Sequence, residues 1–101
     1  MRILVLFNLK PGIDPSAYEN WARTTDVPGV RALGSVDDFR VYRTIGLLGS
    51  DAPAPYAYAE VIDIKGMDPF LADVSSDAVQ KVAAEFQRFA DSPLFILTEE
   101  V

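Results

Sequence analysis

Six side chains on otherwise apolar segments have the chemistry for a site: Asn8, Trp21, Arg40, Tyr42, Tyr58 and Glu60. A buried polar group costs roughly 1–3 kcal/mol unless it finds a partner, so polar residues on apolar strands need a reason to be there. Arg40 and Tyr42 are the candidates for catalysis. A guanidinium stays protonated, carries several donors and can hold negative charge as it develops on a substrate. Asn8 would add directed hydrogen bonds, as would the Tyr42 hydroxyl. Trp21, the only tryptophan, would offer a stacking wall. Tyr58 and Glu60 complete the binding candidates. A Glu60 carboxyl buried beside Tyr58 would have a raised pKa and could act as a base near neutral pH. Each residue also has a structural alternative. Trp21 suits a core, Asn8 can cap a strand end, Tyr56 and Tyr58 suit a strand, and Glu60 can pair with Arg40 or Arg43 across strands.

Composition narrows the chemistry further. The 101 residues include no cysteine and no histidine. That removes disulfides, thiolate nucleophiles, zinc ribbons and iron–sulfur clusters, and also the imidazole base, the Ser–His relay and the proximal haem ligand. Carboxylates and tyrosines remain for acid–base work. Nine basic against fifteen acidic side chains give a net charge of −6 and a pI near 4.4, which argues against nucleic acid and against an anionic membrane surface as partners. Asp37-Asp38, and separately Asp68, Asp73 and Asp77, lack the alternating ligands, central glycine and terminal glutamate of a calcium loop. They read as a solvated surface with helix caps, and no metal or cofactor is expected. Gly46-x-x-Gly49-Ser50 is too short to cradle a phosphate and has no lysine. The apolar run Ile3–Phe7 ends at Asn8 and Lys10-Pro11, too short for a signal peptide or a membrane span, so the cytoplasm is the expected location.

The elements that must position these residues follow from periodicity. Arg2–Leu9 is apolar on both alternating faces, as in a strand covered on both sides. Asp14 reads as an N-cap with Pro15 at the first helical position. Ala17, Tyr18, Trp21, Ala22 and Thr25 form one buried stripe of a helix ending near Thr25, and Pro28-Gly29 and Gly34 bracket a loop. Val36–Ile45 alternates as a strand, with Phe39, Val41 and Arg43 on one face and Arg40, Tyr42 and Thr44 on the other. Residues 46–55 hold two glycines and two prolines, a long connection of the kind used as a lid or an interface loop. Tyr56–Ile64 is a strand whose alanine face (Ala57, Ala59) suggests close approach of a helix. Asp68-Pro69 repeats the cap-plus-proline start. A longer helix begins near Ser76 or Asp77, with Ala78, Val79, Val82, Ala83, Phe86, Phe89 and Ala90 in its stripe. Asp91-Ser92-Pro93 stops it, and Leu94–Glu99 is the last strand, again apolar on both faces.

The order β-α-β-β-α-β over residues 1–101 predicts one α+β domain of ferredoxin-like type, an antiparallel sheet with both helices on one face. Two helices cover only one face. The two-sided apolar strands therefore predict a homodimer that buries the second face, a dimeric α+β barrel.

Several segments then resemble a known family: Leu6-Phe7-Asn8-Leu9-Lys10-Pro11, Tyr18 to Thr24, Phe39 to Thr44, Gly46 to Ser50, and Gln80 to Phe86. Over essentially the whole length the chain resembles the RedY-like family, which includes HapK. The resemblance implies the dimeric α+β barrel superfamily. It also implies a biosynthetic role in the prodiginine pathway of red tripyrrole pigments, on the bipyrrole precursor arm. It brings no catalytic residue with it. Two functions are expected. One is a cofactor-free, monooxygenase-like enzyme in which an electron-rich pyrrolic substrate supplies reducing power to O₂ while Asn8, Trp21, Arg40 and Tyr42 orient it. The other is a non-catalytic protein that binds and protects a reactive small aromatic or pyrrolic ligand, or assists a neighbouring enzyme. A pocket of apolar and aromatic groups, with Arg40 held in an ion pair, would favour the second.

Overall fold

A computed structural model describes all 101 residues. Strand β1 (Arg2–Leu9) alternates as its sequence dictates: Ile3, Val5 and Phe7 are buried on one side, while Leu4 and Leu6 stay half-exposed on the other. Strands β2 (Val36–Arg43), β3 (Tyr58–Ile64) and β4 (Ala90–Thr98) complete an antiparallel sheet in the order β2-β3-β1-β4. The crossover from β1 to β2 leaves a gap that β3 fills. This is the split arrangement expected for a ferredoxin-like α+β fold.

The helical layer departs from the sequence expectation in three places. Helix α1 (Pro15–Trp21) starts as expected, with the Asp14 carboxylate accepting from the Ser16 amide at 2.9 Å and Pro15 in the first turn. It does not run out into a loop near Thr25. A π-helical turn, Ala22–Asp26, leads without a break into α2 (Val27–Arg31). Pro28 follows the π turn directly, inside this continuous helical run, where it offers no N–H to the turn before it. An interruption of the amide ladder of this kind goes with a local change of helix geometry. Helix α3 (Met67–Val74) is preceded by Gly66 in the cap position, and Asp68 lies inside its first turn, where a carboxylate suits the helix dipole without capping.

Helix α4 (Asp77–Phe89) is capped by Ser76, whose hydroxyl accepts from the Val79 amide at 3.3 Å. β4 begins directly after it at Ala90. Asp91-Ser92-Pro93 therefore lies inside the strand, where the pairing with β1 shifts register between Leu6 and Asn8 and Ser92 takes φ 47°. A bulge on an edge strand is where a proline can sit without breaking the ladder.

Helices pack on the face bearing Ile3, Val5, Phe7, Phe39, Tyr58, Ile62 and Ile64. An aromatic cluster ties the two layers. Phe7 stacks on Tyr58 at 5.5 Å and meets Tyr18 and Phe86 edge-on at 5.4 and 5.0 Å. Such pairs contribute roughly 0.5–1.5 kcal/mol each beyond the area they bury. The helices thus cover the Tyr58–Ile64 face of β3 rather than its alanine face. Ala59 and Val61 lie on the open side, opposite Leu6 and Leu4 of β1 and Tyr42 and Arg40 of β2. Small side chains there leave room for whatever covers the sheet from outside. Leu94 and Ile96 of β4 continue this apolar face, and both are exposed.

Candidate functional site

The space between sheet and helices is not filled. A cavity of about 260 Å³ lies there, walled by Ile3, Phe39 and Ile62 from the sheet and by Val79, Val82, Ala83 and Phe86 from α4. Sequence periodicity sends the α4 stripe toward the core, yet only Phe86 in that helix is fully buried. The stripe faces a cavity. Ala83, Gln87 and Phe95 are exposed and mark its rim, between α4 and β4.

Two carboxyls line this apolar space. Glu60, from the helix-facing side of β3, is 4% exposed, and Asp26, from the π-helical turn, is 5% exposed. Neither meets a lysine or arginine. Glu60 Oε1 accepts a long hydrogen bond, 3.3 Å, from the Tyr18 hydroxyl. The Asp26 carboxyl has no hydrogen-bond or ion-pair partner in the chain. Loss of water around the charged form pushes the Glu60 carboxyl up to about 8, helped by the negative charge of Asp26 and opposed by the Tyr18 hydrogen bond. Burial alone pushes Asp26 up to about 7. Burial, then the two carboxylates, raises the Tyr18 hydroxyl. At neutral pH, Glu60 is therefore mostly a protonated acid and Asp26 is near its midpoint. Two like groups whose environments hold them near neutrality are the usual ingredients of acid–base chemistry. A π turn inside a helix often marks a functional site, and here it carries Asp26.

Of the six residues singled out by sequence, only Glu60 lines this cavity. Its expected ion pair with Arg40 or Arg43 does not form. Arg40 points from the opposite face of the sheet, with Nε 3.1 Å from Asp38 Oδ2 and a terminal nitrogen 3.7 Å from Asp63 Oδ2. Arg43 reaches Glu19 at 3.4 Å. Tyr42 is half-exposed on the same open face as Arg40. Asn8 straps the loop to β1, donating to the Pro55 carbonyl at 3.3 Å and accepting from the Ala57 amide at 2.9 Å. Trp21 packs on Phe89 at 5.3 Å and donates from Nε1 to Glu85 Oε2 at 2.7 Å.

Tyr58 is buried, with its hydroxyl donating to Glu19 Oε2 at 2.7 Å. Burial and that carboxylate push it up to about 12. Asn8 and Trp21 thus lie apart from each other and from Arg40 and Tyr42 on the open face, so the four are not gathered around one pocket. Asn8 and Tyr58 do line a second, more polar groove beneath residues 46–55, about 710 Å³, with Lys10, Glu19 and Arg43.

Tyr18 and Asp26 are the residues that sequence reasoning did not single out as site residues. The signal was present: Tyr18, Ala22 and Asp26 recur every four positions, which places an aspartate on the buried stripe. Reading the helix as ending at Thr25 hid it. No group of three acidic residues clusters closely enough to hold a metal ion, and no helix is long and apolar enough to cross a membrane.

The family model described as REDY-like protein HapK matches residues 1–101. The chain belongs to the HapK family of REDY-like proteins. Among solved structures, HapK from Hahella chejuensis is 27% identical with a TM-score of 0.74, over 100% of this chain and 95% of that one. At3g17210 from Arabidopsis thaliana is 14% identical with a TM-score of 0.82, over 99% and 94%. A dimeric ferredoxin-like protein of unknown function from Thermobifida fusca is 20% identical with a TM-score of 0.72, over 94% and 85%. The last two likenesses establish fold alone. No curated protein matches the sequence. For the HapK-family chain, then, any assignment of chemistry must come from the cavity.

Proposed function

We propose that this HapK-family protein is a small biosynthetic protein of the tripyrrole pigment pathway. It holds a pyrrole or bipyrrole intermediate between the sheet and α4 and moves protons on it. The observation that carries this reading is the apolar cavity with the Glu60 and Asp26 carboxyls and no cation beside them. Aromatic and aliphatic walls suit a flat apolar ring, and the carboxyls suit its N–H. Glu60, held neutral near pH 7, can donate a proton, and Asp26 can accept one. In the oxygenase-like version of this chemistry the carboxyl pair takes the ring proton, and the resulting ring anion gives its electron pair to O₂ and forms a C–O bond. The peroxide takes the proton back, and loss of water with the second hydrogen of that carbon leaves a C=O. One oxygen atom thus ends on the ring and the other in water. Arg40 and Tyr42 lie outside the cavity and have no part in it.

The protein works as a homodimer that covers the open face of the sheet. Leu4, Leu6, Leu94 and Ile96 form the centre of that face, and the Arg2–Asp63 pair at 2.6 Å lies at one end. A second reading, binding and protection without turnover, is favoured by the engagement of Arg40 with Asp38 and Asp63.

Purified protein mixed with pathway bipyrroles in air separates the two. The catalytic reading expects product and oxygen uptake, with Glu60→Gln lowering turnover by roughly 10²–10⁴. Unchanged bipyrrole that decays more slowly in air when protein is present, and equally so with Glu60→Gln, supports protection instead. No effect of the protein on any bipyrrole removes both.

A further inference from the structure

Two carboxyls dominate the hydrogen-bonding capacity of the cavity. Asp26 is 95% buried by its 5% exposure, lines the cavity and has no partner within the chain. Glu60 is engaged only by the long Tyr18 hydrogen bond. Two donors of the adjoining aromatic cluster are already used, Trp21 Nε1 on Glu85 and the Tyr58 hydroxyl on Glu19, both at 2.7 Å. No lysine or arginine lines the cavity, and its one amide, Gln87, sits at the exposed rim. A molecule that brings a donor is favoured, because the buried Asp26 carboxyl is otherwise left unmatched. A carboxylate brought in would lose its water beside two acidic groups with no cation to receive it.

Resting on the ligand-site reading above, we infer that the cavity selects aromatic rings bearing an N–H donor and no carboxylate, whether neutral or positively charged, with the N–H directed at the carboxyls of Asp26 and Glu60. Shape and apolar area alone do not set the choice. A ring of equal size without N–H fills the same space and leaves the Asp26 carboxyl unmatched. A ring with N–H plus a carboxylate satisfies one acceptor and adds a buried like charge.

The test is calorimetric titration of the full chain with three matched bicycles: indole, benzothiophene and indole-2-carboxylate. Indole is expected to bind at least tenfold more tightly than either of the others. In Asp26→Asn/Glu60→Gln, which supplies amide donors, indole-2-carboxylate is expected to gain at least fivefold relative to indole. Val82→Trp, or Ala83→Phe from the rim if that variant fails to fold, should block indole by filling the space. Benzothiophene or indole-2-carboxylate binding as tightly as indole, yet blocked by the filling variants, overturns the selectivity and leaves the cavity reading standing. No binding of any probe, or binding indifferent to both filling variants, overturns the two together.

Discussion

Raising the pH from 5 to 9 should lower the melting temperature of the protein by at least ~10 °C, and Glu60→Gln should reduce that fall, leaving the part that Asp26 carries. The sign follows from linkage. Glu60 has a folded-state pKa raised to about 8, so the unfolded chain releases its proton first as pH rises. Stability from this group is fully present below about pH 4.5 and is lost progressively as pH rises through about 8. A carboxyl carried that far corresponds to on the order of 5 kcal/mol across the window, an upper figure once local relaxation is allowed. In a domain of this length each kcal/mol moves the melting temperature by roughly 4–8 °C.

Asp26, raised by burial to about 7, acts in the same direction, losing its contribution between about pH 4 and pH 7. Because the two face the same cavity, their effects will not add. Asp26→Asn and Glu60→Gln should both melt above wild type at pH 8.5 and match it more closely at pH 5, followed by circular dichroism at fixed protein concentration. A flat wild-type profile over this range would mean that the carboxyls are solvated or paired, and the acid–base site would go with them.

The second large effect concerns the open face of the sheet. Wild-type protein at micromolar concentration should scatter light as a particle of twice the 11.1 kDa protomer mass. Ile96→Asp should shift it to the protomer mass while leaving its far-ultraviolet spectrum intact. Ile96 is 38% exposed and points away from the helices, next to Leu4. A carboxylate there costs the protomer little, but it would be buried without a partner in a face-to-face dimer. The four large apolar side chains at the centre of this face form the kind of patch that isolated monomers rarely leave in water. Ile45 and Leu48, which lie at the loop after β2, are also almost fully exposed. A wild-type monomer, or an Ile96→Asp protein that remains a dimer, would locate the interface elsewhere or remove it.

Much of this architecture was legible in the sequence because strand alternation and helix caps are local signals. Arg2–Leu9 begins and ends where its apolar run does, and Ser76 opens α4 through a hydroxyl that its position makes available. The two-sided apolar pattern of β1 and β4 pointed to a second covered face. What escaped was set by context. Pro28-Gly29 reads as a break, yet the π turn carries the helix on into α2, so the buried stripe extends past Thr25 to Asp26. Arg40 and Glu60 were grouped because both lie on neighbouring strands. Their parity in the β2–β3 register puts them on opposite faces, since Arg40 sits opposite Val61 and Glu60 sits opposite Val41. The polar residues of apolar strands were the right class to inspect. Which of them share a space depends on register, which no single strand reveals.

The claim on which the rest depends is that a molecule sits between the sheet and α4 beside Asp26 and Glu60. Native mass spectrometry of the protein purified from its own cells tests it most directly, with wild type and Val82→Trp prepared side by side. The prediction is one N–H-bearing aromatic molecule per protomer on wild type and none on Val82→Trp. The same molecule retained in equal amount by Val82→Trp, or a bound molecule with no aromatic N–H, would contradict it.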